Sequence, residues 1–445
     1  MADSARIGKQ MMRRGSMADR RHSQFGLAVS TILAVFCLSP AGALSSDSFS
    51  GAIPAPARPE TMLVKSLQEI AENRIDSALN GIEQLLKANP NFRLAHLIKG
   101  DLLLARARPI NKIGEMQGVS QQHIDELREE ARARMQHYQD PVPLDKVPRF
   151  LLQMQSEQKY ALVADTHKAR LYIYRNIGGE AHYVADYYIS TGKNGSQKLR
   201  EGDKKTPIGV YFVTANLPRQ KLADFYGSGA FPIDYPNDWD KRHGRSGFGI
   251  WLHGTPSNTY SRPPRASDGC VVLANQDLDA VGATLQVGVT PVIISYGMEW
   301  VKPSESLPLR EKLSRYLENW RQDWENGNID AYIRNYGQDF ASGKQNLDEW
   351  IKHKREVNAA KPRVKVKISN VGMFSYPGRD DLVVVNFDQE YSDDNLSRKM
   401  KKRLYWKKED KTGHWKIVHE SAVCRAGKID MLFFPGEPCT SPGTS

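Results

Sequence analysis

Several patterns that would identify a common class of protein are missing from this chain of 445 residues. Its 11 histidines and 4 cysteines are scattered, and none makes the His-x-x-x-His or Cys-x-x-Cys spacing that zinc needs. No Gly-Lys-Ser/Thr phosphate loop is present. The formal charge of +11 suits an anionic surface or polymer, but no RNA- or DNA-binding signature accompanies it. The sequence therefore predicts no metal, no cofactor and no nucleic-acid partner.

Long apolar runs are also scarce, and the one present lies near the start of the chain. Residues 25–43 carry no charge, follow an arginine-rich stretch and end in the small residues Ala-Gly-Ala. This pattern is typical of a signal peptide over 1–43, cleaved near Ala43, and predicts export to the periplasm or cell envelope. The alternative is an uncleaved inner-membrane anchor, because a run of this length nearly spans a bilayer. Pro40 and the small residues favour cleavage.

The small number of cysteines fits export and singles out one of them. Cys37 lies in the signal peptide. Cys424 and Cys439 flank a short segment rich in glycine and proline, and we expect them to form a disulfide. Cys270 is then a free thiol, which is a liability in an oxidising compartment unless it has a use.

A chain of this length predicts two to four domains, of which the first is helical. Apolar residues follow helical spacing from Leu67 to Leu86, and again beyond an Asn-Pro-Asn stop. The helical domain over 60–148 thus contains a hairpin that resembles a single tetratricopeptide-type repeat. One such pair seldom buries a core alone, so we expect it to pack on a helix near 120–137 or on the next domain. For this hairpin, a role in structural support is favoured over a role in binding a protein partner.

Two further domains follow the helical one. Strand-like segments punctuated by glycine occupy 158–297. Residues 305–425 begin with an aromatic-rich helical stripe and end in strands, an α+β layout that resembles the NTF2-like cone fold with its pocket. We expect the aromatic residues of that stripe to belong to the hydrophobic core rather than to line a ligand-binding site. With a tail at 426–445, the predicted class is multidomain α+β: a helical hairpin, a β-rich domain and an NTF2-like cone.

The residues that carry chemistry lie in the β-rich domain. His253 ends one predicted strand over 249–253, and Cys270 begins another over 270–273; Gly254 and Gly269 stand beside them. A cysteine becomes a strong nucleophile when a nearby base or positive charge lowers the pKa of its thiol. Adjacent glycines let the backbone approach an acyl group and direct N–H donors at a developing oxyanion. This combination predicts acyl transfer by a cysteine.

The β-rich domain resembles the YkuD-type L,D-transpeptidase catalytic domain. The segments that carry the resemblance occur in family order, at 188–195, 200–211, 231–236, 253–254 and 267–270. A single His-Gly pair would mean little, whereas the ordered set is specific.

The resemblance implies a role for individual residues. Cys270 is the nucleophile, which attacks the carbonyl between the L-centre of a diamino acid and D-alanine in a peptidoglycan stem peptide, and His253 takes the thiol proton. The backbone around Gly269 and Cys270 holds the oxyanion, with Ser267 and Gly254 as positioning residues. Release of D-alanine leaves a thioester. The amine of a second stem resolves it into a crosslink, and water resolves it in a carboxypeptidase.

Three more residues are candidates for substrate contacts. Tyr235 and Trp251 line the donor-peptide groove or, as the alternative, belong to the core. Arg265 contacts a substrate carboxylate or, as the alternative, only sits in a flexible lid loop over 255–266.

Two positions depart from the commonest family pattern, Ser-His-Gly-Cys-x-Arg/Asn. Asp268 stands at the second histidine, and Val272 stands where arginine or asparagine is usual. An ionised Asp268 beside the cysteine raises the pKa of the thiol, unless it turns away and pairs with Arg262 or Arg265. These departures bear on transpeptidation more than on formation of the thioester.

Three functions therefore remain, with L,D-transpeptidase first. The domain order resembles the cell-shape-determining branch of the family, which makes an L,D-carboxypeptidase or related murein hydrolase the second. The third is a catalytically inactive peptidoglycan-binding module that uses the NTF2-like pocket and the helical hairpin. The predicted partners are peptidoglycan stem peptides, with the hairpin or the NTF2-like domain as a surface for a protein partner.

Overall fold

The computed structural model describes residues 58–110, 112–115, 120–343, 345–360, 364–393 and 396–423. The predicted signal peptide, the predicted Cys424–Cys439 disulfide and the tail 426–445 lie outside these ranges. Across the described ranges, no helix is both long enough and apolar enough to cross a membrane.

The N-terminal part is helical, and its helices are α1 (Arg58–Ala71), α2 (Ile75–Ala88), α3 (Arg93–Ala105) and α4 (Gln121–Gln139). The apolar spacing predicted one helix over 67–86, but the chain breaks between α1 and α2. Asn73 there has φ 59°, in the left-handed region that asparagine tolerates better than most residues. One apolar cluster joins Ile82, Ile98 and Ala131 of α4, and Tyr260 from the next domain packs against it. The hairpin is thus covered by α4 and by the β-rich domain.

A five-stranded sheet forms the centre of the β-rich domain, in the order β5-β4-β3-β13-β7. Its strands are β3 (Tyr160–Asp165), β4 (Arg170–Ile177), β5 (Glu180–Tyr188), β7 (Gly209–Phe212) and β13 (Pro291–Ser295). Only β3 and β13 pair in parallel; the other pairs are antiparallel. Both faces of β3 are buried, because Leu162 and Ala164 enter one core while Ala161 and Val163 enter another. Such two-sided burial explains why β3 reads as a continuous apolar run.

A smaller sheet, in the order β12-β10-β9-β8, packs over one face of the central sheet through the core that contains Leu162, Leu252 and Val271. The elements of this layer are β6 (Thr191–Gly192), β8 (Leu217–Pro218), β9 (Gly229–Pro232), α5 (Asp238–Arg242), β10 (Trp251–His253), β11 (Arg265–Ser267), β12 (Val271–Val272) and α6 (Asn275–Gly282). Strands β6 and β11 pair in parallel beside it.

The C-terminal part consists of helices on a curved antiparallel sheet. Its elements are β14 (Trp300–Val301), α7 (Pro303–Glu325), α8 (Ile329–Ile333), β15 (Ala341–Ser342), β16 (Gln345–Asn346), α9 (Leu347–Ala360), β17 (Lys365–Ser375), β18 (Leu382–Asp393), β19 (Leu396–Lys408) and β20 (Trp415–Val423). Trp320 of α7 is fully buried in an aromatic cluster, which confirms that it belongs to the core.

The segment before the central sheet joins the C-terminal domain. Strand β2 (Leu151–Gln153) pairs with β17 and forms the edge of the sheet β2-β17-β18-β19-β20. Strand β1 (Val147–Pro148) pairs with β14. Neither strand was predicted from the sequence, because two or three residues are too short to show a strand periodicity.

The β-rich and C-terminal domains share one hydrophobic core. The second face of the central sheet, which includes Val163 and Phe212, packs in the same cluster as Phe374 of β17 and Val384 of β18. The rings of Phe212 and Phe374 lie edge to face, with 6.2 Å between their centroids. The C-terminal domain therefore completes the core of its neighbour.

Buried charges join the helical part to the central sheet. Arg170 of β4 contacts Glu60 of α1 at 2.7 Å and, through Nε, Asp186 of β5 at 2.7 Å. Arg134 of α4 contacts Glu60 at 3.1 Å and Glu130 at 2.9 Å. Burial alone would raise the pKa of Asp186, but the Arg170 guanidinium and nearby hydrogen-bond donors hold that pKa well below its usual range. These side chains are stable when buried because each charge faces an opposite one.

We predict that Arg170→Met destabilises the protein by about 3–5 kcal/mol, because it leaves buried carboxylates without their cation. Urea unfolding followed by circular dichroism measures the change. The control is Arg175→Met, in the same strand but exposed, and it should change the free energy of unfolding by less than about 0.5 kcal/mol. Equal stability of the two variants would contradict a structural role for the buried charges.

Candidate active site

The candidate catalytic residues lie on one face of the small sheet because two of its strands run in parallel. Strand β10 pairs with β12, and the residues opposite each other are Leu252 with Val271 and His253 with Val272. Leu252 and Val271 face the core. Because side chains alternate along a strand, His253 and Cys270 point to the opposite face, at one edge of the small sheet.

His253 is held as a neutral imidazole. Its ring is 1% exposed, and its Nδ1 lies 2.7 Å from the carbonyl oxygen of Gly254. A carbonyl only accepts, so Nδ1 carries the proton and Nε2 keeps a lone pair. Burial lowers the pKa of His253 to about 4, the positive charge of Arg262 acts in the same direction, and the bond to Gly254 opposes them. The ring can therefore accept a proton at neutral pH.

Cys270 is held as a thiol. Its Sγ donates to the carbonyl oxygen of Gly249 at 3.3 Å. Burial raises the pKa of this thiol to about 11, although the backbone N–H of Trp251 and the charge of Arg262 both lower it. Among the described residues no hydrogen bond joins this sulfur to His253. The structure therefore holds a neutral thiol and a neutral imidazole rather than an ion pair.

The turn before the cysteine is fixed by its own side chains. Ser267 donates from Oγ to the carbonyl oxygen of Cys270 at 2.7 Å and accepts from the N–H of Gly269 at 3.1 Å. Gly269 has φ +126°, and a Cβ on it would lie 2.7 Å from the carbonyl oxygen of Lys205, so only glycine fits. The N–H of Cys270 has no hydrogen-bond partner among the described residues. The N–H of Cys270 is therefore available to bind an oxyanion, whereas the N–H of Gly269 already donates to Ser267.

Gly254 positions the end of β10. Its N–H donates to the carbonyl oxygen of Tyr226 at 3.0 Å. A Cβ on Gly254 would lie 2.1 Å from Oδ1 of Asn275, whose side chain bonds both Ser228 and Thr255. The glycine therefore permits close approach of three segments and has no N–H to offer an oxyanion.

Aromatic rings that the sequence analysis missed surround His253. The ring centroids of Phe225 and Tyr226 lie 5.7 and 5.2 Å from that of the imidazole, and Trp251 lies 4.8 Å from Tyr226. Phe225 is half exposed. Trp251 is thus in the aromatic wall of the site. Phe225 and Tyr226 precede the His-Gly pair by more than 25 residues, and no motif in the sequence pointed to them.

Tyr235 is a core residue rather than a substrate contact, which is the second of the two alternatives that the sequence left open. It is 5% exposed and packs in the cluster between the two sheets. Its hydroxyl donates to the carbonyl oxygen of Ser246 at 3.1 Å, and its ring lies edge to face with Tyr211.

Asp268 and Arg265 have other partners than the sequence analysis proposed. Asp268 pairs with Lys193 at 2.8 Å and does not form the ion pair with Arg262 or Arg265. Its charge still raises the pKa of the Cys270 thiol, as predicted, but less than burial does. Arg265 pairs with Glu129 of α4 at 2.8 Å, which makes it a contact to the helical part rather than to substrate.

The loop over 255–266 is anchored to the helical part and is not a free lid. The Oγ of Ser261 donates to Glu130 of α4 at 2.7 Å. The N–H of Tyr260 donates to the carbonyl oxygen of Asn91 at 3.2 Å, and its ring packs 4.3 Å from that of Phe92. The turn between α2 and α3 and the helix α4 therefore set the position of this loop.

Arg262, from the same loop, is the charged residue of the site. Its guanidinium lies 4.7 Å from the centre of the Phe225 ring and acts electrostatically on both Cys270 and His253. From the sequence, Arg262 was predicted only as a partner for Asp268. Its place between the histidine and the cysteine in the sequence is the one signal that was available.

In the described ranges, no cluster of three or more His, Cys, Asp or Glu side chains is arranged to hold a metal ion.

Comparisons with known proteins place two domains in known families. The family model of the L,D-transpeptidase catalytic domain, YkuD, matches residues 159–294 of this chain. The family model of the Cds6 C-terminal NTF2-like domain matches residues 312–421. The putative L,D-transpeptidase YafK of Escherichia coli (strain K12) is 29% identical over 150 residues, which are 32% of this chain and 55% of that protein. The chain thus spans about half the length of the curated relatives it matches.

Solved structures match over a larger share. Bd1075 of Bdellovibrio bacteriovorus is 30% identical with a TM-score of 0.55, and the match covers 63% of this chain and 98% of that one. The helical cell shape determining protein Pgp2 of Campylobacter jejuni is 25% identical with a TM-score of 0.54, over 62% of this chain and 95% of that one.

We predict that the rate of alkylation of Cys270 by iodoacetamide rises with pH and reaches its midpoint at about pH 11, because burial raises the pKa of its thiol. At pH 7 only about one thiol in ten thousand is then ionised. Asp268→Asn should shift the profile to lower pH, since it removes a negative charge that opposes the thiolate. Mass spectrometry of the Cys270 peptide measures the rate, and Cys270→Ala corrects for the other cysteines. A wild-type midpoint near 8.5 would contradict the burial argument.

Proposed function

The chain belongs to the YkuD L,D-transpeptidase family and carries a Cds6-type NTF2-like domain, and on this basis we propose that it is a cysteine acyltransferase acting on peptidoglycan stem peptides. The observation that carries the proposal is the placement of Cys270 and His253 on one face of adjacent parallel strand ends, inside the YkuD match.

In the first step, the thiol of Cys270 rotates from the carbonyl of Gly249 and transfers its proton to Nε2 of His253. The sulfur attacks the carbonyl carbon between the diamino acid and D-alanine, and the N–H of Cys270 binds the oxyanion. Collapse of this intermediate breaks the C–N bond. The imidazolium returns its proton to the leaving amine, so D-alanine departs and a thioester remains.

The neutral pair suits this order of events. A thiol with a raised pKa is a weak nucleophile until a base removes its proton, and a buried imidazole with a lowered pKa is unprotonated over a wide pH range. Proton transfer then accompanies attack on the substrate. The site is protected from unproductive reactions of a permanent thiolate.

In the second step, we propose that the amine of another stem peptide attacks the thioester and forms a crosslink between diamino acids. His253 accepts the amine proton, and the thiol of Cys270 is regenerated. The reaction is then an L,D-transpeptidation. A substrate of this kind requires export, for which the predicted signal peptide 1–43 would serve.

Hydrolysis is the second candidate, because the match extends over 95% of a helical cell shape determining protein, and the domain order resembles the cell-shape-determining branch of the family. The presence of Asp268 in place of the usual histidine also distinguishes this site from the commonest family pattern. In that case water resolves the thioester, and tetrapeptide stems become tripeptides.

Incubation with purified muropeptides and mass spectrometry of the products tests the proposal. Dimers joined between diamino acids support transpeptidation, and tripeptides alone support the carboxypeptidase. We expect Cys270→Ala to abolish both products and His253→Gln to lower turnover by about 10²- to 10⁴-fold, since each removes an essential group. His182→Gln, an exposed histidine of β5, is the control and should retain turnover. A Cys270→Ala protein with full activity would refute the cysteine mechanism of both enzymatic functions, and a wild type that yields no product would leave the peptidoglycan-binding module.

A further inference from the structure

The candidate active site contains a cation without an ion-pair partner. Arg262 is half-buried, and among the described residues no carboxylate forms a salt bridge with its guanidinium. The nearest acidic residue in the sequence is Asp268, and its carboxylate forms an ion pair with Lys193 at 2.8 Å. A half-buried guanidinium presents several N–H donors in a fixed plane, and such a group is suited to an anion with two oxygens.

The position of this cation is fixed from several sides. The phenyl ring of Phe225 lies 4.7 Å beneath the guanidinium, and the same ring lies 5.7 Å from the imidazole of His253. The hydroxyl of Tyr188 donates to the backbone carbonyl of Arg262 at 3.0 Å. The adjacent Ser261 is bonded to the buried Glu130 of the helical part. The loop therefore holds the guanidinium over the ring that also packs on His253, within electrostatic range of both reacting groups.

The surroundings of Arg262 favour a negative ligand. Cys270 and His253 are neutral in the structure, and Lys198, which also acts on the cysteine, is paired with Asp203 at 2.8 Å. The other charged group that acts on the guanidinium, besides Asp268, is the positive Arg93. The site therefore has an excess of positive charge when no substrate is bound.

We propose that Arg262 binds the terminal carboxylate of the D-alanine that leaves, and so selects stem peptides that end one residue after the scissile bond. This inference rests on the proposed function. In such a stem the carboxylate is separated from the scissile carbon by only the amide nitrogen and one Cα, which places it within about 4 Å. One further residue would move the carboxylate by about 3.8 Å and away from a guanidinium that the loop holds in place.

Two synthetic substrates test the proposal with the full chain: a tetrapeptide stem with a free D-alanine carboxylate and the same peptide with a C-terminal amide. We expect kcat/KM of the wild type to be about 10- to 100-fold higher for the free acid, the usual effect of a hydrogen bond to a charged group. Arg262→Gln should reduce this preference to within about 3-fold and act mainly through KM for the acid. Arg265→Gln, in the same loop but paired with Glu129, should retain the preference.

A second variant tests whether the helical part positions the guanidinium. Ser261→Ala removes the hydroxyl that bonds Glu130, so KM for the acid should rise while KM for the amide stays constant. Because this hydroxyl touches no reacting atom in the mechanism, a purely structural role would change both substrates equally. Circular dichroism establishes that each variant is folded.

The outcomes separate this inference from the function on which it rests. Equal kcat/KM of the wild type for the acid and the amide would overturn the role of Arg262 and leave the acyltransferase in place. A full preference retained by Arg262→Gln would overturn it as well. Turnover of neither substrate by the wild type would overturn the proposed function and this inference together.

Discussion

The parallel pairing of β10 with β12 is the constraint on which the site depends. It places His253 opposite Val272 and thereby brings the imidazole to the face that carries Cys270. A shift of one residue in this register would send His253 into the core, because side chains alternate along a strand. Leu252 and Val271, buried on the other face, prevent such a shift. Packing of apolar side chains thus determines the geometry of the polar ones.

The site combines a buried histidine, a cysteine with a raised pKa and an arginine held by a neighbouring domain. The first two are neutral because burial disfavours their charged forms. The charge of Arg262 would be costly at the same place, but its loop is anchored to α4 and its guanidinium rests on Phe225. The helical part therefore contributes to the active site without supplying a residue that touches the reacting atoms.

The domain order and most strands could be predicted from the sequence, because they depend on local patterns. The catalytic roles of Cys270 and His253 come from an ordered motif and stay a prediction, which their common face of the small sheet supports. The sequence did not reveal Arg262, whose position depends on a bond between Ser261 and Glu130, which are 131 residues apart. Tyr235 stayed undecided between groove and core, since an aromatic residue near a motif has the same local pattern in either place. Strand β2 was missed because three residues carry too little periodicity.

The shared core of the β-rich and C-terminal domains limits how this architecture can change. Phe374 and Val384 fill the face of the central sheet that carries Val163, so neither domain has a complete interior alone. Exchange of the C-terminal domain for another of the same fold would require matching substitutions in the catalytic half. The two domains are thus expected to be inherited as one piece rather than shuffled separately.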